Sequence, residues 1–359
     1  GQIFRISITE TGVYRVNRSF LTSLGLNPDS IDPNSIEILG NGGRPLPALN
    51  AINRIADVAS LPVFRTGGGD GNFGASDELL FYASGPSGWT YLDGKFEHFV
   101  HPYSNDNVVF LKIASGGGPE LVSRNYSDGV SMPLFGSSTG RYFLDIEERV
   151  WSREHGSGSD WMSNTIRSGG SRDILTGLVL PGLQTGTINF ETRVAIASNP
   201  RATVAMVSGS TTLAQRTASY ATTQKSEDPS ASEATFSFDQ TVTSGQPINL
   251  TMRLLNQTNE PEASLDWVRI TYNQELKRST GPLEFTTRPG VQGDQSYQLS
   301  GFTSAPQVWD VTDGRLQKAY DAGLVSGAYV IQLPAADMFE RPRDLIAFIS
   351  ADVKAVAAS

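Results

Sequence analysis

The sequence contains no cysteine in its 359 residues, which removes several kinds of chemistry at once. Without thiols there are no disulfide bonds, no thiolate metal site and no cysteine nucleophile. The absence does not identify the compartment, because a chain of this length buries a large core without covalent help. The length itself predicts two domains, or two and a further fragment.

An excess of basic residues is also missing, since the formal net charge is −9 at pH 7. Nucleic acids attract basic surfaces through their phosphates, so the charge argues against a nucleic-acid partner. No apolar run reaches the about 18 residues that a membrane-spanning helix requires, so no transmembrane segment is predicted. The chain begins at Gly1 without a charged and apolar leader, and any signal peptide is expected to have been removed.

Histidine is scarce, with only His98, His101 and His155. His98 and His101 are three residues apart in an extended segment, so their rings point to opposite faces and we do not expect them to share a zinc ion. They are predicted to be strand-edge residues before a Pro-Tyr turn. His155 lies in a Gly/Ser-rich segment without the rigid nucleophile-bearing turn of a serine hydrolase, which predicts a solvated loop. No catalytic residue is predicted.

Glycine and proline, by contrast, are abundant, with 36 and 19 copies, and long helix-period segments are rare. This pattern is typical of many short strands joined by turns. The predicted fold class is mainly β, with two or three β-sandwich or jelly-roll-like units and few short helices.

Three regions are predicted along the chain. Residues 1–138 form an N-terminal β-rich domain, residues 139–279 a jelly-roll-like β-sandwich, and residues 280–359 further β segments. In the second region, Val268, Ile270 and Tyr272 are expected on one strand face and their neighbours on the other. The chain stops at Ser359 without a helix cap or a closing strand, which predicts that the natural protein continues.

The first residues illustrate the local patterns. Apolar residues alternate with polar ones over residues 4–8, which predicts a strand, and residues 13–16 are interpreted as the strand that returns after the Thr11-Gly12 turn. Asn17 is predicted to cap a short helix that ends at Gly25.

The stretch TGGGDGNFGASDELLFYASGPSGW, residues 66–89, has two interpretations. Acidic residues around a glycine can hold calcium, with Asp70, Asn72 and Asp77 as the candidate metal ligands. With Gly71 as the turn glycine, however, the first and third positions of a calcium loop fall on a threonine and a glycine. Too few charges then converge, so a calcium site would be weak. The preferred interpretation is a glycine-rich turn before a buried strand, and no other cofactor is expected.

Paired carboxylates are available, for instance at Asp145 with Glu147 and Glu148, or at Asp310 with Asp313. A glycosidase needs two carboxyl groups that face each other across a cleft, and neighbours in sequence do not establish that geometry. In the segment WDVTDG, Asp310 and Asp313 are predicted to be turn residues whose side chains accept hydrogen bonds from nearby backbone amides.

Several stretches together resemble one family, the PorU-like sortases of bacterial type IX secretion, which are gingipain-type cysteine peptidases. The similarity lies in the non-catalytic N-terminal region of the family and spans nearly the whole chain. The similar stretches, in the family's order, are FRISITETGVYRV, IEILGNGG, GDGNFGASDELLFYASGPSGW, HPYSNDNVVFLKI, Arg149-Val150-Trp151 with Glu154, SLDWVRITYNQELKR and APQVWDVTDG. The sequence departs from the family at Glu148 and Arg153, where the family tends to place glycines.

The resemblance implies a scaffold or recognition role at the bacterial cell surface, associated with the outer membrane. The peptidase domain of that family lies C-terminal to this region, so no catalytic residue is carried over and this chain is not expected to be an enzyme. The parent protein would remove C-terminal sorting signals from secreted cargo. The implied partners are its own C-terminal peptidase domain and a secretion-system outer-membrane partner or a cargo protein.

Two further functions are compatible with the residues. A carbohydrate-binding or adhesion module would use exposed aromatic rings, and Trp89, Trp151 and Trp161 are the candidates, although core or loop-anchor packing is the more common role of tryptophan. A stand-alone hydrolase is the least favoured, because no nucleophile with a positioned base is evident.

Overall fold

The computed structural model describes residues 1–43, 57–114, 116–127, 132–150, 161–197, 201–219, 232–255, 261–291, 293–335 and 341–356. The chain forms two compact units. Unit 1 comprises residues 1–138 and 276–359, and unit 2 comprises residues 139–275. Strands dominate the described residues and helices are short, so the prediction of a mainly β, sandwich-type fold is confirmed.

The elements of the first part of unit 1 are β1 (Gln2–Ile8), β2 (Gly12–Asn17), α1 (Arg18–Ser23), 3₁₀ turns at Pro28–Ser30 and Pro33–Ser35, β3 (Ile36–Gly40), β4 (Ala59–Leu61), β5 (Phe64–Thr66), β6 (Glu78–Ala83), β7 (Gly88–Leu92), β8 (Lys95–Phe99), β9 (Asn107–Ile113), β10 (Ser123–Arg124) and β11 (Leu134–Phe135). Strand β12 (Ser137–Asp145) leads into unit 2.

Unit 2 continues with β13 (Arg149–Val150), β14 (Trp161–Met162), β15 (Ile166–Arg167), β16 (Ser171–Leu178), β17 (Gly186–Ala197), β18 (Arg201–Ser208), β19 (Thr211–Ser219), β20 (Ser232–Val242), β21 (Ile248–Leu254) and β22 (Glu262–Glu275). The chain then completes unit 1 with β23 (Leu283–Thr286), β24 (Gln295–Leu299), β25 (Gln307–Asp310), β26 (Lys318–Asp321), β27 (Gly323–Val325), β28 (Ala328–Leu333), β29 (Asp344–Phe348), a 3₁₀ turn at Ser350–Asp352 and β30 (Lys354–Ala355).

Unit 1 is a stack of four sheets with three apolar layers between them. The sheets, in stacking order, are β1-β9-β3-β4, β30-β2-β6-β5, β10-β26-β25-β29-β23 and β11-β24-β28-β27. The first layer is rich in Ile, Leu and Phe and lies between the first two sheets, the second contains Trp309, and the third contains Tyr297. Residues 280–291, 293–335 and 341–356 therefore belong to the same unit as the N-terminal sheets, and Trp309 packs in the apolar layer against them.

This stacking differs from a division into 1–138, 139–279 and 280–359. The third predicted region lies in the same compact unit as the first, and unit 2 ends at Glu275. The physical reason is visible at Leu276, which is 1% exposed and packs in the third apolar layer of unit 1.

Strand β6 is buried on both of its faces. Leu79 and Phe81 point into the first apolar layer, while Leu80 and Tyr82 point into the second. A strand between two sheets has no solvated face, so its sequence is a continuous apolar run instead of an alternating pattern. This explains why the strand ELLFYA, after the glycine-rich turn, is apolar at consecutive positions.

The β1–β2 segment corrects one prediction. Residues 13–16 form a strand, but β2 does not return along β1: β1 pairs with β9, and β2 pairs with β6 and β30. Ile6 of β1 and Val16 of β2 are both fully buried in the first apolar layer. The Thr11-Gly12 turn therefore carries the chain from one sheet to the next across a shared core, which alternation alone does not reveal.

Helix α1 confirms its predicted ends. The Asn17 side chain accepts a hydrogen bond from the Phe20 amide at 2.9 Å, and this satisfies one of the free donors at the helix start. Gly25, just past the helix, has a φ of 77°, a left-handed conformation that glycine adopts without steric cost.

Unit 2 is a two-sheet sandwich. The sheets have the strand orders β12-β22-β17-β20 and β16-β21-β18-β19, and one apolar core fills the space between them. Val268, Ile270 and Tyr272 face that core as predicted, while the Arg269 guanidinium lies 5.4 Å from the Trp267 ring centroid. Such a contact between a cation and an aromatic face is favourable.

No helix among the described residues is both long enough and apolar enough to span a bilayer.

Candidate functional site

The glycine-rich stretch before β6 is a turn that is held by hydrogen bonds between its own residues. Asp77 is 8% exposed, and its carboxylate accepts a hydrogen bond from the Gly74 amide at 2.8 Å. Asp70 accepts a hydrogen bond from the Asn72 amide at 3.1 Å, an Asx turn. Phe73 between them is fully buried and anchors the turn on unit 1. Asp70, Asn72 and Asp77 thus each have a local role in holding the turn.

No group of three or more His, Asp or Glu side chains that could hold a metal ion occurs among the described residues. Calcium also accepts asparagine and backbone oxygens as ligands, in addition to carboxylates. The weak calcium site at Asp70, Asn72 and Asp77 therefore stays a prediction.

The histidines occupy local contacts. His98 lies in β8 with its ring 5.0 Å from that of Trp89 in an edge-on contact, and the His101 Nδ1 atom accepts a hydrogen bond from the Tyr103 amide at 3.2 Å. These contacts agree with the strand-edge interpretation. His155 lies outside the described residues.

The carboxylates at 145–148 differ in their surroundings. Burial, and then the nearby charge of Glu147, raises the pKa of Asp145. The pKa of Glu148 is lowered by the Asn164 amide, which donates to its carboxylate at 2.9 Å, and by Arg172, which forms an ion pair with it. Glu148 is thereby engaged in a structural contact of unit 2.

The WDVTDG segment confirms the turn prediction for its two aspartates. Asp310 accepts hydrogen bonds from the Thr312 amide at 3.1 Å and from the Thr312 hydroxyl at 2.6 Å. Asp313 accepts one from the Arg315 amide at 2.9 Å. The Thr312 hydroxyl in turn accepts from the Asp344 amide at 2.9 Å, which ties the loop to β29.

This loop forms one wall of a cavity of about 230 Å³ in unit 1. The opposite wall is the Gly-rich loop after β3, and the two walls approach closely, since a Cβ on Gly314 would lie 3.3 Å from the Gly42 Cα. The cavity is lined by Asn41, Gly42, Thr312, Asp313, Gly314, Arg315 and Arg341. Two stretches of the family resemblance, IEILGNGG and APQVWDVTDG, therefore meet here.

The sequence patterns singled out neither arginine of this cavity, Arg315 or Arg341, and Arg341 has the more unusual surroundings. Its Nε and Nη2 atoms are buried and have no hydrogen-bond partner within the part of the chain that the structure describes. The neighbouring Arg343, by contrast, donates to the Pro334 carbonyl at 2.7 Å and lies 3.8 Å from the Asp310 carboxylate. In the sequence, the only sign that could have drawn attention to Arg341 is that two arginines, Arg341 and Arg343, flank Pro342.

The tryptophans divide between packing and exposure. Trp309 is fully buried, and Trp89 contacts His98, as the packing interpretation expects. Trp161 is 46% exposed in β14. Trp151 lies outside the described residues.

The two units thus define a mainly β, multi-sheet protein region without a catalytic cysteine. Among solved structures, the chain is similar to dimeric latent PorU from Porphyromonas gingivalis, with a TM-score of 0.80 and 18% sequence identity. The match covers 99% of this chain and 32% of that chain, so this chain spans about a third of the PorU chain. At this identity the likeness shows the fold, and the fold that the sequence resemblance implies is confirmed.

Two carbohydrate-binding modules are matched far less well. One is the CBM36-1 domain of a multidomain xylanase from the hindgut metagenome of Trinervitermes trinervoides, with a TM-score of 0.22, 15% identity, and coverage of 36% of this chain and 95% of that chain. The other is the C-terminal CBM6 of a marine laminarinase from Zobellia galactanivorans, with a TM-score of 0.21, 16% identity, and coverage of 38% and 98%. Scores this low support no inference about this chain. No family model and no curated protein matches the sequence.

Proposed function

We propose that this chain is a non-catalytic scaffold and recognition region of a bacterial cell-surface sortase of type IX secretion. The parent protein is a gingipain-type cysteine endopeptidase that removes C-terminal sorting signals from secreted cargo. Its peptidase domain, a secretion-system outer-membrane protein or a cargo protein is the partner that this region holds.

One observation carries this proposal: 99% of the chain is matched by about a third of the PorU chain at a TM-score of 0.80. Two features agree with it. The similar sequence stretches occur in the family's order, and the chain itself has no cysteine that could act as the nucleophile. A region of stacked sheets without a nucleophile fits a role in holding and presenting other groups.

The test is made in the natural organism with the full reading frame. We expect the frame to encode a Cys/His peptidase domain after Ser359, and surface labelling of intact cells to reach the protein. Deletion of the region from the chromosomal gene should leave cargo proteins with uncleaved C-terminal sorting signals. The separate 359-residue chain should cleave no peptide that carries such a C-terminal signal. A reading frame without a peptidase domain, or cargo processing that survives the deletion, would overturn the proposal.

A second candidate, carbohydrate binding, is favoured by the exposed indole of Trp161. An exposed aromatic ring offers a face on which a sugar ring can stack. Glycan-array binding that is lost in Trp161→Ala, with Trp89→Ala as the half-buried control, would support it. An array without a ligand would dispose of it.

A further inference from the structure

The polar groups that line the 230 Å³ cavity of unit 1 are mostly committed to their own loops. The Asn41 side chain accepts from the Gly43 amide at 3.0 Å, and the Thr312 hydroxyl both donates and accepts. Asp313 accepts from the Arg315 amide. Among the described residues, the guanidinium group of Arg341 has neither a hydrogen bond at its Nε and Nη2 atoms nor an ion pair, and that of Arg315 has only a long ion pair with Asp313.

Arg341 stands out among the arginines with an unpaired buried nitrogen. Arg15 and Arg172 also have one such atom each, but each forms an ion pair, with Glu78 and Glu148 respectively. Arg341 has two such atoms, and no ion pair is formed by it among the described residues. Leaving a buried charged donor unsatisfied is costly, and such a group in a folded protein calls for an explanation.

The two unpaired atoms, Nε and Nη2, share one edge of the guanidinium plane. Their N–H groups point in parallel, and this spacing matches the two oxygens of a carboxylate in a bidentate pair. Arg315 adds a second positive charge to the lining. Its Nε atom is 3.9 Å from the Asp313 carboxylate, which is close enough for an ion pair but too far for a hydrogen bond. With two arginines against one aspartate, the lining favours a group with a single negative charge.

We propose that this cavity is a binding site for a carboxylate group, with Arg341 as the anchoring residue. The volume is below the range of about 300–1,000 Å³ that holds drug-sized ligands, so it suits one small anion or the end of one peptide. The site is independent of the proposed role in secretion, since it rests only on the lining of unit 1.

Binding is tested on the full 359-residue chain by NMR of the arginine Nε–H groups, at constant ionic strength set with sodium chloride. Sodium acetate is the first probe, and we expect the Arg341 resonance to shift in a saturable way. Inorganic phosphate is the competing anion and should bind more weakly. Saturating acetate should also raise the melting temperature, because a ligand of the native state stabilises it.

Two variants identify the anchor. Arg341→Gln should weaken acetate binding roughly tenfold or more, the factor expected for loss of a charge-assisted hydrogen bond. Arg341→Lys keeps the charge but lacks the paired edge, so it should lose most of the binding too. Without acetate, both variants should melt no lower than the wild type, because the buried Nε and Nη2 atoms of Arg341 have no hydrogen bond to lose among the described residues. The control Arg167→Gln removes an 85% exposed arginine side chain and should bind acetate normally.

The source of the carboxylate is distinguished with two peptides. N-acetyl-Gly-Gly with a free terminus and its terminal amide differ only in the carboxylate. If the acid binds and the amide does not, the site accepts a peptide end; if only acetate binds, it accepts a free small carboxylate. Absence of any carboxylate-specific shift, a shift that persists in Arg341→Gln, or tighter binding of phosphate would overturn the proposal.

Discussion

Gly67 and Gly71, both in the turn before β6, have the same left-handed backbone but different surroundings. Their φ angles are 84° and 79°, yet a Cβ at Gly67 would lie 1.8 Å from the Asp77 Oδ1 atom, whereas a Cβ at Gly71 would meet nothing within 4 Å. We therefore expect Gly71→Ala to lower the free energy of unfolding by about 1 kcal/mol through backbone strain alone. Gly67→Ala should cost roughly twice as much or more, because it also displaces a buried carboxylate. Urea denaturation of the two variants decides this, and equal losses would contradict it.

The same turn makes a prediction about calcium. The Asp77 carboxylate is already bonded to the Gly74 amide and Asp70 to the Asn72 amide, so the turn closes without a cation. We expect millimolar calcium chloride to leave the melting temperature where an equal ionic strength of sodium chloride leaves it. A calcium-specific rise that is lost in Asp70→Ala would instead establish the predicted metal site.

Residue roles that depend on near neighbours could be predicted from the sequence. Asn17, Asp310 and Asp313 bond to amides two or three residues away, so their environment is contained in the local sequence. Arg341 could not be found in this way. Its surroundings come from the loop around Asn41 and from the WDVTDG loop, and nothing local marks that the fold brings them together.

Strand β6 differs from the half-buried strands in how it should respond to substitution. Leu79 and Leu80 are adjacent, but they fill different apolar layers. Each truncation to alanine should cost about 2–5 kcal/mol, because each leaves a cavity in a packed core. In β21, where burial alternates, Leu250→Ala should cost as much, but Arg253→Ala should stay within about 0.5 kcal/mol. Urea denaturation checks all four, and a neutral Leu80→Ala would contradict burial on both faces.

A cross-strand ion pair in the first sheet should make stability depend on pH. Glu37 of β3 lies directly opposite Lys112 of β9, and the Lys112 ammonium group is 2.9 Å from the Glu37 carboxylate. The Ser60 hydroxyl of β4 also donates a hydrogen bond to the Glu37 carboxylate. The Lys112 hydrogen bond, and then that of Ser60, lowers the pKa of Glu37 below its ordinary value of 4.5. The stabilisation is thus present above the pKa of the unfolded chain and is lost as the pH falls through the lower folded pKa.

The test compares Glu37→Gln with the wild type by urea denaturation as a function of pH. Near pH 7 the variant should be less stable by about 1 kcal/mol, because a hydrogen-bonded charge is lost from a partly buried site. The gap should close as the pH falls below 4.5, the ordinary value. Glu10→Gln is the control, since the Glu10 side chain is 72% exposed and its pair with Lys354 should contribute little. A difference between Glu37→Gln and the wild type that is independent of pH would contradict the assignment.

At the scale of elements, strand positions could be predicted but strand partners could not. The alternation of apolar and polar residues predicts β1, because apolar side chains tend to be buried and polar side chains tend to be exposed. Pairing partners lie far away in the chain, as where β10 pairs with β26. A strand of two residues, such as β10, leaves no periodic signal to detect.

The molecule as a whole is a chain whose middle third folds as a separate unit. The sequence indicated the change of character near residue 138, because glycine and serine are frequent there. It gave no sign that the chain rejoins unit 1 at Leu276, since that return depends on packing in the third apolar layer. The strands after residue 280 look like an independent region when only their own pattern is considered.

The two units should therefore be separable at positions that the structure defines. The Leu276 amide donates to the Gly136 carbonyl at 3.1 Å, so the two ends of unit 1 that flank the insertion lie side by side. Joining Ser138 to Leu276 with a short Gly/Ser linker should leave unit 1 folded, because closing a short loop between adjacent ends costs little entropy. The excised segment 139–275 should fold by itself around its own core.

Urea denaturation of each separate piece provides the measurement, followed by tryptophan fluorescence. Unit 1 contains the buried Trp309 together with Trp89, and unit 2 contains Trp267 together with Trp151 and Trp161. Each piece should unfold cooperatively, with an m-value below that of the whole chain because less surface is exposed. Moving the second junction to residue 280 is the matched comparison. It removes Leu276 from the third apolar layer and the hydrogen bond from the Arg278 amide to the Ser300 carbonyl, so unit 1 should lose about 2–5 kcal/mol. If both junctions give equally stable proteins, or if either piece unfolds without a cooperative transition, the division at Glu275 is wrong.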